Sequence, residues 1–426
     1  MTHPARSAPY VVCAACGEAY PRLSPRAQCS CRGLLEVVQG PRQTARDLRT
    51  RFERRRRSGD PAVQGSGVWR FRELLLPGRG PVVTHPEGNT AQYRREAVAR
   101  WVGLEDLALK HEGENPTGSF KDRGMTVAVT QAVRAGATAV ACASTGNTSA
   151  SMAAYAAQAG LPALVFVPSG KVAAGKLAQA LAYGARTLLV RGDFDTCLRL
   201  VRETAETLGV ALLNSINPWR LEGQKTIVWE MLQQRGWEPP DWIVVPAGAL
   251  GNTSAFGKAL REAKDLGLIR RVPRVASIQA RGANPFYRSF RTGFERRFRV
   301  QAETVATAIR IGDPASHDRA VRTIRETRGV VEAVSDPQIL EAKAVVDGAG
   351  IGCEPASAAA VAGTRQLVEK GIIRKGDSVV AVLTGNLLKD PDAVMAFHGR
   401  RGRWRNPPVE IEPRLSDVER VLKRRG

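Results

Sequence analysis

The sequence predicts an α/β protein whose mainly parallel sheets are covered by helices on both faces. From about residue 81 to 395, short runs of Val, Ile, Leu and Ala alternate with longer amphipathic segments. This alternation is typical of buried parallel strands and their covering helices. A chain of 426 residues is too long for one ordinary core, and the strands outnumber those of one doubly wound sheet. We therefore expect two α/β domains.

Three further segments flank or precede this region. Residues 8–40 form a small unit with few apolar runs, which could hardly fold by core burial alone. An Arg-rich connector follows at 41–80, and a basic tail with one expected helix follows at 396–426.

Four cysteines of the first unit have a spacing that suits a structural zinc ion. The pattern is C-x2-C-x12-C-x-C, with Cys13, Cys16, Cys29 and Cys31. Two close pairs on two turns can bring four thiolates into a tetrahedron, and four protein ligands leave no open position for catalysis. Bound metal would also supply the folding free energy that the unit lacks. The alternatives are free cysteines or a ribbon that has lost its metal.

Within the α/β region, the predicted strands indicate where functional residues should lie. In open α/β sheets, ligands bind past the carboxyl ends of strands. Buried strands are expected at 138–145, 163–168, 186–192, 210–214, 242–248, 274–280 and 378–385, and helices at 147–159, 195–208, 222–235 and 337–347.

The segment HEGENPTGSFKDRGM (111–125) places a lysine at the beginning of a helix. Asn-Pro-Thr-Gly is a turn, and Ser119 is expected to cap the helix that follows it. Lys121 thus lies in the first turn, where the positive potential of a helix N-terminus favours a neutral amine. A neutral, partly desolvated amine is what Schiff-base chemistry needs. Taken alone, a helical lysine would more often be a surface charge.

Three more strand ends carry polar or glycine-rich turns. STGNTSAS (144–151) gathers hydroxyl, amide and N–H groups at a helix start. PAGALGNTSA (246–255) has glycines that let the backbone approach a phosphate, although it matches neither a P-loop nor a dinucleotide motif. VLTGN (382–386) ends a strand with the Thr384 hydroxyl.

Together these segments resemble the threonine synthases, a family within the fold-type II pyridoxal-phosphate enzymes. The resemblance covers nearly the whole chain except the connector and the tail. It is carried by NPTGSFKDRGM, STGNTSAS, GKLAQALAYGA, FDTCL, NSINPWRLEGQKT, AIRIGDP, EPASAA and LTGNLLKDPD. It implies two open α/β/α domains, with a smaller lobe at about 125–215 inserted in a larger lobe of the 81–395 catalytic region, plus a small zinc ribbon.

The resemblance also implies the role of individual residues. Lys121 would hold pyridoxal 5'-phosphate as a Schiff base and be the catalytic residue. Asn147 would bond the ring hydroxyl, and Thr384 would face the ring nitrogen. The remaining implied residues bind the cofactor phosphate, namely Gly248, Ala249, Leu250, Gly251 and Asn252, or the substrate, namely Ser144, Thr148, Asn214, Ser215 and Arg220.

The implied reaction converts O-phosphohomoserine and water to threonine and phosphate. Two departures from the family pattern lie near the expected ligands: Ala249 stands where Asn is common, and Asn386-Leu387 replace the common His-Gly. The alternatives are a β-replacing synthase, such as a cysteate synthase, or a threonine/serine dehydratase. Dehydratases generally lack the cysteine unit and the segments GKLAQA and NSINPWR.

The net charge of +22 raises the question of a polyanionic partner. Two basic stretches stand out, Arg54-Arg55-Arg56-Arg57 and the Arg- and Phe-containing stretch 281–299. We interpret both as solvated or anion-attracting surfaces rather than nucleic-acid sites, and expect a small phosphorylated substrate. No membrane span or secretory signal is visible, so a cytoplasmic protein is expected. We also expect a homodimer.

Overall fold

The computed structural model describes residues 10–39, 44–57, 65–170, 174–400 and 402–423. The chain divides into two compact units, Met1–Lys389 and Asp390–Gly426. Parts of the expected segments lie outside the described residues: the ends of the N-terminal unit (8, 9 and 40), two stretches of the connector (41–43 and 58–64), and four positions of the tail (401 and 424–426).

The strands of the described residues form three sheets. They are β1 (Tyr10–Cys13), β2 (Ala19–Tyr20), β3 (Leu35–Val38), β4 (Gln92–Tyr93), β5 (Asp106–His111), β6 (Ala139–Ala143), β7 (Ala163–Pro168), β8 (Arg186–Val190), β9 (Val210–Leu212), β10 (Trp242–Pro246), β11 (Arg274–Ala280), β12 (Val330–Val334) and β13 (Ser378–Leu383).

The two larger sheets confirm the predicted fold class. One has the order β12-β11-β10-β13-β5-β4 and is parallel except for its edge strand β4. The other has the order β8-β7-β6-β9 and is parallel throughout. The third sheet, β2-β1-β3, is antiparallel and belongs to the cysteine-containing unit.

The helices of the described residues cover these sheets and form the small second unit. They are α1 (Ala45–Arg57), α2 (Glu96–Val102), α3 (Lys121–Arg134), α4 (Asn147–Gln158), α5 (Ala174–Ala182), α6 (Phe194–Thr207), α7 (Pro218–Gln224), α8 (Thr226–Gln234), α9 (Gly251–Asp265), α10 (Pro285–Arg291), α11 (His317–Glu326), α12 (Asp336–Gly348), α13 (Pro355–Glu369), α14 (Pro391–Gly399) and α15 (Leu415–Lys423).

Burial follows from the position of each element. Every residue of β6 and β10 is buried, as expected for central parallel strands covered on both faces. The helix α13, of which Ala356 and Ala358–Ala360 are buried, packs against β10 and β13. Small side chains there allow close packing of the helix on the sheet. None of the described helices is long and apolar enough to cross a bilayer.

Three local predictions were wrong. The strand expected to be buried at 186–192 is β8, an edge strand whose residues are exposed or half-buried. The segment 222–235 is not one helix, because α7 and α8 meet at Lys225, whose amine is buried between Glu222 and Glu262. Ser119 does not occupy the N-cap of α3, which is Phe120 and has no side-chain cap. The Ser119 hydroxyl instead accepts a 3.4 Å hydrogen bond from the backbone N–H of Lys121.

The two basic stretches are less solvated than the sequence indicates. Arg55 is only 4% exposed and donates to Glu73 at 2.7 Å, so α1 is anchored to the body by a residue of its arginine run. In the second stretch, Phe286 is buried, and Tyr287, Phe290 and Phe294 pack against the core. Those aromatic side chains therefore serve packing.

Candidate active site

The turn before α3 is tied to the carboxyl end of β13. Gly118 has a positive φ of 83°, which glycine adopts without strain. The backbone N–H of Phe120 donates to the Thr384 carbonyl (3.0 Å), and the N–H of Asn386 donates to the Gly118 carbonyl (2.9 Å). These two bonds bring Lys121, the first residue of α3, beside Thr384 at the strand end.

The Lys121 amine is suited to covalent and proton-transfer chemistry. Burial, together with the positive charge of Arg220, lowers the pKa of Lys121 to about 7, whereas Glu354 acts in the opposite direction. The amine lies 4.2 Å from the centroid of the Phe120 ring. At neutral pH an appreciable fraction of the amine is therefore unprotonated, as a nucleophile or general base requires.

Asn147 and Thr384 are joined through one buried carboxyl group. Asn147 begins α4 directly after β6, and its Nδ2 donates to Glu354 Oε2 at 3.1 Å. Thr384 Oγ1 lies 3.4 Å from Glu354 Oε1 and 3.0 Å from Ser357 Oγ. The two side chains predicted to meet the cofactor ring therefore share a partner.

The glycine-rich turn between β10 and α9 exposes backbone N–H groups at a helix start. Leu250 adopts the left-handed conformation with φ 65°, and α9 begins at Gly251. A Cβ built on Gly248 would lie 3.0 Å from the Ile309 Cα, so glycine keeps this turn compact. The first N–H groups of an α-helix have no intrahelical partner and bind anions. The turn can hold a phosphate group.

Arg220 lies in α7 as a buried cation. It is 1% exposed, and its Nη1 donates to the Leu213 carbonyl at 3.0 Å. Its Nε and Nη2 have no hydrogen-bond partner among the described residues. Burial lowers the pKa of Arg220 to about 10. A buried guanidinium with two free donors is prepared to bind an anion.

The other predicted substrate residues lie on the loops after β6 and β9. The Asn214 amide is bound to the backbone of Ala143, accepting from its N–H (3.0 Å) and donating to its carbonyl (3.1 Å). It thereby joins the ends of the two strands. Ser144 Oγ accepts from the Gly146 N–H at 3.3 Å. Thr148 and Ser215 are partly exposed.

The sequence reasoning missed Glu354, Ser357 and Lys389 as members of this site. The segment EPASAA carried the resemblance without a role for its carboxylate. Glu354 is the N-cap of α13, but its side chain does not cap the helix. Lys389 lies near the Lys121 turn, with its Cε 3.0 Å from a Cβ built on Gly118.

The four cysteines of the small unit converge. Their sulfur atoms all lie within 4.8 Å of one another, and all four are free thiols. A Cβ built on Gly33 would lie 2.5 Å from Cys13 Sγ and 3.1 Å from Cys31 Sγ. Glycine at position 33 thus leaves the space that the thiols occupy, and the group could hold one metal ion.

Comparison with known proteins links this geometry to a family. The family model described as "Pyridoxal-phosphate dependent enzyme" matches residues 83–385. Threonine synthase of Methanosarcina acetivorans is 46% identical over 389 residues, covering 91% of this chain and 93% of that protein. Threonine synthase of Methanocaldococcus jannaschii is 42% identical over 414 residues, covering 96% and 98%.

A solved structure supports the fold. The crystal structure of threonine synthase from Escherichia coli matches with a TM-score of 0.68 at 18% identity, covering 97% of this chain and 94% of that one. At this identity the likeness concerns the fold alone.

Proposed function

This chain belongs to the threonine synthase family of pyridoxal-phosphate-dependent enzymes, and we propose that it converts O-phosphohomoserine and water to threonine and phosphate with Lys121 holding the cofactor. The observation that carries the proposal is the half-buried Lys121 together with the buried Arg220, whose charge lowers the pKa of Lys121. A half-titrated amine beside a cation with free donors suits a substrate that has both an amino group to process and a phosphate to bind.

The described residues fit the cofactor. The N-terminus of α9 offers backbone N–H groups for its phosphate at residues 248–252. Asn147 and Thr384 offer an amide and a hydroxyl for the ring hydroxyl and ring nitrogen. When bound, pyridoxal phosphate supplies an electron-accepting ring that lowers the cost of removing protons from the substrate carbons.

In the proposed reaction, the free amine of Lys121 transfers protons to and from the substrate. Its pKa of about 7 lets the amine accept a proton from the α-carbon and donate it elsewhere at neutral pH. The β-carbon loses a proton, and the bond from the γ-carbon to the phosphate oxygen breaks with its electron pair leaving on the phosphate. The γ-carbon gains a proton, water supplies the hydroxyl group at the β-carbon, and the remaining proton of water goes to the released phosphate. Arg220 holds the phosphate throughout, because its free Nε and Nη2 match two phosphate oxygens.

The test is an assay with a spectrum. Purified protein reconstituted with pyridoxal phosphate should show a visible absorption band that O-phosphohomoserine changes, and should release phosphate with an equimolar amount of threonine. Formation of 2-oxobutyrate from threonine as the main activity would instead identify a dehydratase.

We also propose that Cys13, Cys16, Cys29 and Cys31 hold a structural zinc ion. The support is the clustering of four thiols within 4.8 Å, since tetrahedral sulfur sites favour zinc. Metal analysis of protein purified without chelator should find about one zinc ion per chain.

A further inference from the structure

The Glu354 carboxyl group lies between the two side chains that the proposed function assigns to the hydroxyl and to the nitrogen of the cofactor ring. It is 4% exposed. A Cβ built on Gly385 would lie 2.5 Å from the Glu354 Cδ, so the neighbouring glycine leaves the space that the carboxyl group fills. One oxygen accepts from Asn147 and the other meets Thr384. The group is therefore enclosed, with its hydrogen bonds directed at these two residues.

Thr384 has a single hydroxyl hydrogen, and its direction depends on Glu354. An ionised carboxylate only accepts hydrogen bonds, so it draws that hydrogen toward Oε1. A protonated carboxyl group can donate to Thr384 instead, which frees the hydroxyl hydrogen to point at a ligand. The Ser357 hydroxyl lies 3.0 Å from Thr384 Oγ1 and accepts from the Gly385 N–H at 2.9 Å. Its own hydrogen can go to Thr384 or to the Gly385 carbonyl at 3.4 Å.

Opposing effects act on the charge of Glu354. Burial raises the pKa of Glu354, and the hydrogen bond from Asn147 together with the charges of Lys389 and Lys121 partly offsets that effect. The other titratable group that faces it is the buried thiol of Cys353. The carboxyl group thus titrates closer to neutral pH than a free glutamate does.

We propose that Glu354 is a positioning residue for the cofactor ring: it orients the Asn147 amide and sets the direction of the Thr384 hydroxyl hydrogen, and so decides whether the ring nitrogen meets a donor or an acceptor. This inference rests on the proposed function, in which Asn147 and Thr384 face the ring. Glu354 would thus influence the electronic state of the ring through Thr384, without touching the substrate.

The test uses E354Q, E354A and T384V in the full chain, with E369Q as the control. Glu369 lies at the far end of the same helix α13, is exposed, and pairs with Arg365 on that helix. The glutamine of E354Q can accept from Asn147 and donate to Thr384 at every pH, so it imitates the protonated carboxyl group permanently. Two quantities are measured: cofactor affinity of the apoprotein by fluorescence titration, and the visible absorption of the reconstituted protein between about pH 5.5 and 9.

We expect E354Q to bind the cofactor within a few-fold of the wild-type affinity, but with the midpoint of the absorption change moved to lower pH by about half a unit or more, because a negative charge beside Lys121 is lost. E354A should weaken cofactor binding about tenfold or more. The effects of E354A and T384V should be non-additive in the double variant, since one residue acts through the other. E369Q should behave as the wild type.

Two outcomes would overturn the inference while leaving the proposed function intact: an E354Q midpoint equal to that of the wild type, or additive effects of E354A and T384V. Failure of the wild type and of E369Q to bind the cofactor would overturn the inference and the proposed function together. If E354A does not fold, as judged by circular dichroism, the E354Q midpoint decides.

Discussion

The buried guanidinium of Arg220 has no carboxylate partner among the described residues, since its Nη1 donates to a backbone carbonyl and its Nε and Nη2 are unpartnered, so it should lower stability while serving activity. We predict that R220M increases the free energy of unfolding of the cofactor-free protein by about 1–3 kcal/mol, because methionine fills the space without a buried charge. The same change should reduce kcat/KM for O-phosphohomoserine by about 10²-fold or more, through loss of bidentate phosphate binding. Urea denaturation and phosphate-release kinetics measure the two effects.

R202M is the matched control for this prediction. Arg202 lies in α6 and is exposed, so the control should change the unfolding free energy by less than about 0.5 kcal/mol. Inorganic phosphate should raise the Tm of the wild type but not that of R220M. A destabilised R220M with unchanged KM would mean that Arg220 is structural.

The lowered pKa of Lys121 predicts a pH dependence for cofactor capture. Only the neutral amine attacks an aldehyde. Because the pKa is about 7, the rate at which the apoprotein binds pyridoxal phosphate should rise as the pH increases through 7 and level off above it. R220M should move this midpoint upward, since removal of the neighbouring positive charge favours protonation of Lys121.

Stopped-flow absorbance measures this profile. K121A should form no visible band and lose nearly all activity, whereas K264A, at an exposed position in α9, should match the wild type. A capture rate that still rises near pH 10 would show an ordinary lysine.

Among single residues, the sequence could predict the ones that stand in turns of unusual composition. Asn147 follows a predicted strand end, Thr384 lies at one, Lys121 begins a helix, and a dense run of Gly, Pro, Ser, Thr or Asn lies around or before each; their roles stay predictions. Glu354 could not be predicted this way, because its importance comes from contacts with α4 and β13, which are far apart along the chain. The role of Asn214 as a link between strand ends is likewise visible only in the structure.

At the scale of elements, the cysteine-containing sheet is held to the body by β3. Lys258 Nζ donates to the Val37 carbonyl at 2.6 Å, and Arg319 Nη2 donates to the Leu35 carbonyl at 2.5 Å. These contacts do not involve the thiols. Loss of metal should therefore loosen the two cysteine turns more than the docked strand.

We predict that zinc chelation increases amide hydrogen exchange at residues 13–19 and 28–34, and increases it less at residues 35–38 of β3. Chelation should not release the cofactor. Exchange measured by mass spectrometry, with the absorption spectrum recorded in parallel, tests this. C16S, which removes one ligand, should give the same pattern without chelator. Release of the cofactor on chelation would contradict a purely structural role.

The strands predicted best are short segments rich in buried apolar residues. β7 and β11 have the predicted bounds, although Ser277 and Gln279 interrupt the apolar residues of β11. Strand β12 was missed although most of it is buried. Strand β5 was missed, since Lys110 and His111 look like surface residues in sequence, yet both are buried. The division between α7 and α8 was missed for a related reason: a lysine cannot be recognised as buried until its acidic partners are located.

At the scale of the whole molecule, the arrangement of two parallel sheets followed from strand number and helix alternation. The sequence could not predict the buried ionic network that joins separate elements of the larger unit. Glu230 in α8 accepts hydrogen bonds from Arg70 (2.8 Å), Lys110 (2.6 Å) and Arg123 (2.8 Å). Glu112 also binds Arg123, at 2.6 Å. These five residues come from four places along the chain and meet only in the fold.

The network makes Glu230 a point on which overall stability depends. Burial acts to raise the pKa of Glu230, but Arg123, Lys110 and Arg70 hold it well below its ordinary value, so the group is ionised in the folded protein. We predict that E230Q lowers the free energy of unfolding by about 3–5 kcal/mol, because three buried cations would then share one remaining carboxylate. Urea denaturation of the apoprotein measures this loss.

The matched control is E96Q. Glu96 forms an exposed pair with Arg100 in α2, and such pairs contribute only about 0–1 kcal/mol. A cost for E230Q close to that of E96Q would contradict the prediction, since it would mean that one of the buried cations loses its proton or reaches solvent when the carboxylate is removed. Lys110 is the cation most prone to lose its proton, because burial already lowers the pKa of Lys110 and the Glu230 charge opposes that lowering.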